Sequence, residues 1–480
     1  MENKSNNKIV TRFAPSPTGF MHVGGVRTAI YAYLWAKKNN GTFILRIEDT
    51  DKAREVDGSI EHIIKALKWL GIDWDEGPDI GGPNAPYKQS EKLKTYNEYA
   101  QKLINKGLAY ADPFTEEEVE EFRKKADEEK KPFLYREHRP EVFDKWDGSK
   151  PLRFKVREIK RYEWNDLVFG NLSAGPEALD DFILIKSDGY PTYNFCHIID
   201  DLEMKVTHVM RGQEFISSVP KFLSLYDALE INRPFFATLP PIMGKDGNKK
   251  LSKRDGAKDI LEYQSEGYLP EAMFNFLTFL GWNPGGEKEI YTKEELINIF
   301  DISKIQKSGA QWNDEKLDWI NKEHIKKLTP DELERYVFEW LPKELRIKKI
   351  IPVIVERISK FGDIKQMVDN GELDLFYKEP EYQKEKLIYK NTLPEKIINN
   401  LKEVIGVIKM TDESDYNKEN IKIFLMEIAN RLENRGEILH PMRFALSGLD
   451  KSPDPFILAE IIGKDETIKR LEKAIGVLQL

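Results

Sequence analysis

The strongest constraint on this fold is the run Pro15-Ser16-Pro17-Thr18-Gly19-Phe20-Met21-His22-Val23-Gly24-Gly25, wedged between a strand pattern and a helix pattern. Residues 8–14 read as a short strand, which Pro15, Pro17 and Gly19 then break. From Gly24 onward, Val26, Ala29, Ile30, Tyr33 and Leu34 recur at helical spacing. Period two returns over Phe43 to Asp49, with Phe43, Leu45 and Ile47 on one face and Ile44, Arg46 and Glu48 on the other. Ile60, Ile63, Ile64, Leu67 and Leu70 predict a second amphipathic helix. Strand, turn, helix, strand, helix is the order of a parallel α/β sheet.

Glycines at a strand-to-helix turn let the backbone approach a ligand, and the helix N-terminus offers free N–H groups and a positive dipole end to phosphate. His22 there can donate to a phosphate oxygen; an incidental surface histidine is the competing reading. A second signal lies far downstream. Lys249-Lys250-Leu251-Ser252-Lys253-Arg254 has four basic residues and no acidic one, between Gly244, Gly247 and Gly256. Such a loop suits a triphosphate whose oxygens gain charge in a transition state, although a basic run taken alone is more often a solvated patch. A third set, Arg12, Ser16, Glu48, Tyr193, His197 and Arg211, falls at predicted strand ends and around the resumed sheet. An acidic side chain with an α-amino group needs guanidinium forks for its carboxylate and a carboxylate for its ammonium, which Arg12, Arg211 and Glu48 supply. For any one of these residues the competing reading is a surface ion pair, such as Arg46 with Glu48, worth only about 0–1 kcal/mol.

With 480 residues, 40% of them hydrophobic, the chain can bury several cores. Residues 113–150 shift toward charge and read as part of an insertion. Alternating stretches follow at 151–156 and 182–186, and the turn at Ser187 to Pro191 leads back toward a sheet-like pattern. Beyond about residue 325 the texture is helical, as in Ile347 to Phe361 and Ile421 to Leu432, with a polar break at Thr411 to Asn420. No apolar run is long enough to span a bilayer, and the polar N-terminus lacks a secretory signal, so a cytoplasmic, membrane-free protein is expected. The single cysteine, Cys196, fits a reducing compartment. A net charge of −8 excludes bulk attraction to nucleic acid but not local basic grooves.

The chain resembles the bacterial type of glutamyl-tRNA synthetase, a class I aminoacyl-tRNA synthetase, nearly end to end. The resemblance rests on Arg12 to Thr28, Leu45 to Asp51 (LRIEDTD), Trp69 to Gly77 (WLGIDWDEG), Ile185 to Tyr193 (IKSDGYPTY), Val206 to Gly212 (VTHVMRG), Lys249 to Arg254, Glu315 to Ile325 (EKLDWINKEHI) and Gly436 to Gly448 (GEILHPMRFALSG). It implies a Rossmann-type parallel sheet in two halves, 1–88 and 191–245, interrupted by an inserted α+β acceptor-binding domain at 89–190. A stem-contact region with the KLSKR loop at 246–324 and an all-helical anticodon-binding half at 325–480 complete the implied order. His22, Gly24, Lys250, Ser252 and Lys253 would serve ATP, with His22 and Lys253 acting in catalysis. Arg12, Ser16, Glu48, Tyr193, His197 and Arg211 would hold glutamate; the match at His197 is weaker because the family varies there. Arg357 and Lys360 fall where the anticodon is expected, with helix-surface cations as the competing reading. Mg2+ would accompany ATP, and bound tRNA would be needed for efficient activation. Some relatives carry a cysteine-rich zinc site, but residues 111–139 contain no cysteine, so zinc is not expected and another brace must hold that segment.

The expected partners are glutamate and tRNA(Glu), acting on a monomer. Charging of tRNA(Gln) with glutamate stays open. A glutaminyl enzyme fits less well, since a neutral amide leaves buried cationic donors poorly compensated. A truncated paralogue that glutamylates a modified base conflicts with the length of the chain, and a non-catalytic RNA-binding module conflicts with the presence of His22 and Lys253.

Overall fold

The computed structural model describes residues 8–251 and 258–480. The chain forms two compact units, Met1–Gln264 with Pro270–Ile320, and Ser265–Leu269 with Asn321–Leu480. The first unit begins as predicted, with β1 (Val10–Phe13), α1 (Val23–Lys38), β2 (Thr42–Leu45) and α2 (Ser59–Trp69). After α3 (Leu93–Asn105), β3 (Ala109–Ala111), α4 (Glu116–Glu128) and β4 (Leu152–Phe154) come the hairpin β5 (Tyr162–Asp166) and β6 (Gly170–Ala174), then β7 (Phe182–Ile185). The sheet resumes with α5 (Tyr193–Glu203), β8 (His208–Gly212), α6 (Val219–Leu229), β9 (Phe235–Leu239) and β10 (Ile242–Met243).

Six strands form the main sheet in the order β2-β1-β8-β9-β5-β6. Its pairs are parallel from β2 through β5, and only β6 runs antiparallel, on β5. β1 sits between the strand that follows it and a strand reached only after the 89–190 stretch, which makes a topological switch point. A crevice opens beyond the strand C-termini at such a point. The stretch 89–190 contributes β3, β4 and β7 to a separate antiparallel sheet. Its hairpin β5–β6 instead extends the main sheet, where the Asp166 carboxylate accepts the Thr238 hydroxyl at 2.7 Å.

One local reading differs from the structure. The segment after Pro191 is the helix α5, not sheet-like chain; Phe195, Ile198 and Ile199 are fully buried at helical spacing. The period-two stretch at Phe43 to Asp49 shows no solvent face: all four residues of β2 are buried, as is usual for a strand covered on both sides. Extended backbone nevertheless continues past Leu45. Arg46 N–H donates to Phe13 and Glu48 N–H to Pro15, while Leu45 and Ile47 donate the other way, to Glu76 and Tyr87. That alternation carries Arg46 and Glu48 alongside the end of β1.

The segment 111–139 is braced by ion pairs and rings. Asp112 accepts from Arg153 Nε at 2.9 Å and from the Tyr135 hydroxyl, and the Arg153 guanidinium lies 3.4 Å from the Tyr135 ring centre. Arg139 Nε donates to Asp181 at 2.7 Å, and Phe122 stacks on His138 and meets Phe114 edge-on, with centroids 4.2 and 5.0 Å away. A capping box between Thr115 and Glu118 starts α4.

The second unit is helical; among the described residues no strand follows Gln311. Its longer helices are Pro394–Met410, Lys418–Ala429, Gly436–Ser447 and Lys464–Gln479. Arg470, almost fully buried, donates to the Glu466 carboxylate at 2.9 Å and to the carbonyls of Leu375, Lys378 and Leu446, so its charge and its N–H groups are met inside the unit. Arg357 ends the helix Ile351–Arg357 with Nη1 4.0 Å from Glu372. Lys360 Nζ donates to the Tyr268 hydroxyl at 3.1 Å and lies 3.8 Å from Glu266.

Candidate active site

A cavity of about 710 Å³ opens at the switch point, lined among others by Arg12, Ser16, His22, Gly24, Glu48, Tyr193, Arg211 and Lys250. The structure thus gathers eight residues that the sequence picked from separate stretches. His197 is the one described glutamate candidate that does not line it. Ser252 and Lys253 lie outside the described residues.

The mouth is built from the histidine turn and the start of the lysine run. His22 caps α1, and its Nδ1 accepts from Gly24 N–H at 3.1 Å. A neutral His22 therefore carries its proton on Nε2. A Cβ on Gly24 would stand 3.0 Å from the imidazole, so glycine is what lets the ring lie over the helix start. Lys250 bridges back to Met243, and its Nζ, largely in solvent, lies 3.6 Å from Glu214. Arg27 reaches the cavity from α1 and is clamped by the carbonyls of Leu280, at 2.9 Å, and Pro240.

The floor is a buried line of alternating charge. Asp201 Oδ1 accepts from Arg12 Nε at 3.1 Å and from Arg46 Nη1 at 2.8 Å, and Arg46 Nη2 donates to Glu48 Oε1 at 3.0 Å. Asp200 lies 3.7 Å from Arg46 Nε and 2.6 Å from Lys92 Nζ, and accepts from Gln89 and Tyr96. Burial works to raise the Asp201 carboxyl, but Arg12 and Arg46 outweigh it and hold it below the usual range. For Glu48 burial wins: its carboxyl is raised despite the lowering pull of Arg46 and Arg12. The Arg46–Glu48 pair is thus no surface contact. Arg46 is fully buried, with the carboxylates of Glu48, Asp200 and Asp201 around its guanidinium.

Arg211 stands apart from that line. Its guanidinium lies 4.8, 5.3 and 5.7 Å from the rings of Phe222, Phe236 and Phe215, and its Nη1 has no hydrogen-bond partner among the described residues. Tyr193 stacks on His197 at 4.5 Å, and His197 Nδ1 donates to the Tyr193 carbonyl at 2.6 Å. Burial, and then the charge on Arg211, push His197 down to about 3, so it stays neutral with a bare Nε2. His197 supports the tyrosine from behind.

Residues 8–319 match the family model for the catalytic domain of class I tRNA synthetases (E and Q), and residues 322–475 match an anticodon binding domain. Over 98% of its length the chain is 42% identical to the glutamate–tRNA ligase of Clostridium kluyveri, covering 99% of that protein. The chain belongs to the glutamate–tRNA ligase family. The Clostridium acetobutylicum glutamate–tRNA ligase is also 42% identical over 98% of the chain and 99% of its own length. Among solved structures, a glutamate–tRNA ligase from Elizabethkingia meningosepticum, in complex with its amino acid, superposes with a TM-score of 0.86 at 36% identity. That match covers 98% of this chain and 100% of the other. The Elizabethkingia anophelis glutamate–tRNA synthetase gives 0.84 at 35% identity, with the same coverage.

Within this ligase fold, sequence reasoning missed Arg27, Arg46 and Asp201 as parts of the site. A signal for Asp201 existed: Tyr193, His197 and Asp201 recur at four-residue spacing, which puts them on one face of a helix. Reading the segment as sheet-like hid it.

Proposed function

We propose that this glutamate–tRNA ligase holds glutamate on the pocket floor and ATP at the mouth, and that the buried guanidinium of Arg211 selects the substrate. The observation that carries the reading is Arg211, which lines the cavity among three aromatic rings and whose buried Nη1 has no hydrogen-bond partner among the described residues. Around the floor, the cations Arg12, Arg46, Lys92 and Arg211 outnumber the carboxylates Glu48, Asp200 and Asp201 by one. A bound glutamate, with net charge −1, removes that excess. Glutamine is neutral and leaves a buried cation without a counter-charge, a penalty that discriminates strongly because unpaired buried groups are expensive. A glutaminyl reading is therefore not favoured.

Glu48 receives the α-ammonium, Arg12 and Arg211 the side-chain carboxylate, and Tyr193 and Ser16 the flanks of the ligand. The α-carboxylate is left to face the mouth. There one of its oxygens attacks the α-phosphorus of ATP, the bond to the β-phosphate oxygen breaks, and pyrophosphate leaves glutamyl-adenylate behind. His22 Nε2–H, the N-terminus of α1 with Gly24, and the Lys250–Ser252–Lys253 run supply donors to the phosphate oxygens. No protein nucleophile is needed; positioning and charge stabilisation suffice, at roughly 2–4 kcal/mol per well-placed donor. Mg2+ would accompany ATP and offset the charge of its phosphates. Among the described residues no three His, Cys, Asp or Glu side chains group to hold a metal. In the second step the 3′-terminal ribose hydroxyl of tRNA attacks the glutamyl carbonyl and AMP departs. The match at residues 322–475 supports a role for the helical unit, including Arg357 and Lys360, in reading the anticodon. The braced region within 89–190 is assigned to the acceptor end.

The deciding experiment charges purified tRNA(Glu) and tRNA(Gln) with labelled glutamate and glutamine. Glutamate on tRNA(Glu) is expected; glutamine without glutamate refutes the site. Glutamate on both tRNAs shows a non-discriminating enzyme. ATP–pyrophosphate exchange with and without tRNA shows whether activation waits for tRNA.

A further inference from the structure

Two residues at the centre of the floor, Asp201 and Arg46, are absent from the cavity lining, while the two they hold, Arg12 and Glu48, are on it. The four come from three elements. Arg12 belongs to β1, Arg46 and Glu48 to the extended chain after β2, and Asp201 to α5. Asp201 Oδ1 is the only oxygen of that carboxylate with hydrogen-bond partners among the described residues, and it serves both arginines. Arg46 in turn spreads its guanidinium over three carboxylates, those of Glu48, Asp200 and Asp201.

We propose that Asp201 and Arg46 are positioning residues for glutamate. Asp201 fixes the direction in which Arg12 faces the ligand, and Arg46 holds Glu48 as a carboxylate aimed at the α-ammonium. The inference rests on the glutamate-binding roles given above to Arg12 and Glu48.

The geometry explains the division of labour. Arg12 commits Nε to Asp201 and Nη1 to the Met210 carbonyl at 3.3 Å, two anchors that restrict its rotamer. A planar fork held at two points is oriented before the ligand arrives, which removes an ordering cost from binding. Glu48, 6% exposed, would by burial alone prefer to be neutral, and a neutral carboxyl cannot balance an ammonium. The groups that face it are Arg46 beside it, Arg12 of β1, and Tyr193, Cys196 and Asp201 of α5, with Arg211 of β8 on the same cavity. Of these only the arginines favour its ionised form, and among the described residues only Arg46 hydrogen-bonds its carboxylate. Arg46 in its turn is fully buried and tolerable only because three carboxylates surround it.

Lysine is not an equivalent of Arg46, because its point charge cannot serve several carboxylates at once. It does keep the positive charge beside Glu48, which methionine does not. The two substitutions therefore separate charge from geometry.

The test measures aminoacylation of saturating tRNA(Glu) by the full-length enzyme and its variants Arg46→Met, Arg46→Lys, Asp201→Asn and Glu48→Gln. KM for glutamate, KM for ATP and the pH profile of kcat/KM for glutamate are read, and thermal melts confirm folding. Arg46→Met is expected to raise the glutamate KM about tenfold or more, because truncating one partner of a buried charge pair is costly. KM for ATP should stay within about twofold, and the acid limb of the profile should move to higher pH because Glu48 has lost its lowering neighbour. Arg46→Lys should return the acid limb most of the way with part of the affinity. Asp201→Asn should raise the glutamate KM with a smaller movement of the limb. Equal losses for glutamate and ATP with an unmoved limb overturn the proposal, as does unchanged glutamate KM in Arg46→Met. Should Arg46→Met give no cooperative melt, unchanged glutamate KM in both Arg46→Lys and Asp201→Asn overturns it instead. Glu48→Gln separates the two layers of the argument. If it leaves the glutamate KM unchanged, the glutamate site itself is misassigned. If it raises KM while the Arg46 and Asp201 variants do not, only the positioning roles fail.

Discussion

The floor and the mouth of one cavity are built to opposite specifications. On the floor, Arg12, Arg46, Glu48 and Asp201 are all buried and locked to one another at 2.8 to 3.1 Å. At the mouth, His22 and Lys250 are exposed, and the Lys250 contact with Glu214 is a loose 3.6 Å. On the proposed assignment of glutamate to the floor and ATP to the mouth, the difference follows from what each must recognise. A small zwitterion offers few atoms, so selectivity requires groups fixed in advance in a dry, low-dielectric place. A triphosphate brings several charges and its own counter-ion, so its site can stay open and be completed by the ligand. Stability and specificity are therefore coupled along the Arg12–Asp201–Arg46–Glu48 line and more nearly separable at Arg211 and at the mouth.

The comparison is attacked most severely by Asp201→Ala. Removing the shared carboxylate strands two buried arginines, and a loss of about 3–5 kcal/mol in unfolding free energy is expected by denaturant titration. In the unaltered protein the same carboxylate, depressed in the folded state, contributes stability that is fully present above the ordinary aspartate pKa of about 3.9 and lost as pH falls toward its folded value. A variant with a stability near that of the parent would show that the floor is not preorganised by this group.

Arg211→Met should affect function strongly and stability little. With no partner on Nη1 to lose and three rings to pack against, the methionine is accommodated, while kcat/KM for glutamate drops about a thousandfold or more. A proportionate fall in melting temperature would place Arg211 with the structural ion pairs instead.

At the mouth, His22→Ala should lower kcat about a hundredfold or more as a donor to the transferring phosphoryl group is lost. Glutamate KM should move little, and the lost helix cap should cost roughly 1 kcal/mol. Steady-state kinetics that show the loss in glutamate KM instead would erase the boundary between floor and mouth. Lys250→Ala should produce the smallest effect, a several-fold rise in ATP KM with stability within about 0.5 kcal/mol of the parent, as for most exposed positions.

Much of this architecture is legible in the order of residues alone. The histidine turn announces a strand-to-helix crossing, and α1 begins at Val23. Of the described site candidates for ATP and glutamate, all but His197 meet on one cavity. What is illegible has one source in each case. α5 is hidden because its proline-led start and short buried run carry no long periodicity. Arg46 is hidden because charge in a strand reads as a solvent face unless both faces are known to be covered. The brace of residues 111–139 joins Asp112 to Arg153 and Arg139 to Asp181, partners 41 and 42 residues apart that no local pattern connects.

The sequence by itself determined the order of elements, the type of sheet, and the residue kinds available to phosphate and to an acidic amino acid, because these follow from local spacing and side-chain chemistry. Only the tertiary structure decided which charges cancel. Asp201 meets Arg12 across 189 residues and Arg46 across 155, and Arg211, on the same cavity, keeps a buried nitrogen without a hydrogen-bond partner among the described residues. Whether a buried cation is neutralised depends on distances of a few ångströms in a low-dielectric interior, where Coulomb energies are steep, and those distances are fixed by how the sheet packs rather than by any single stretch of chain.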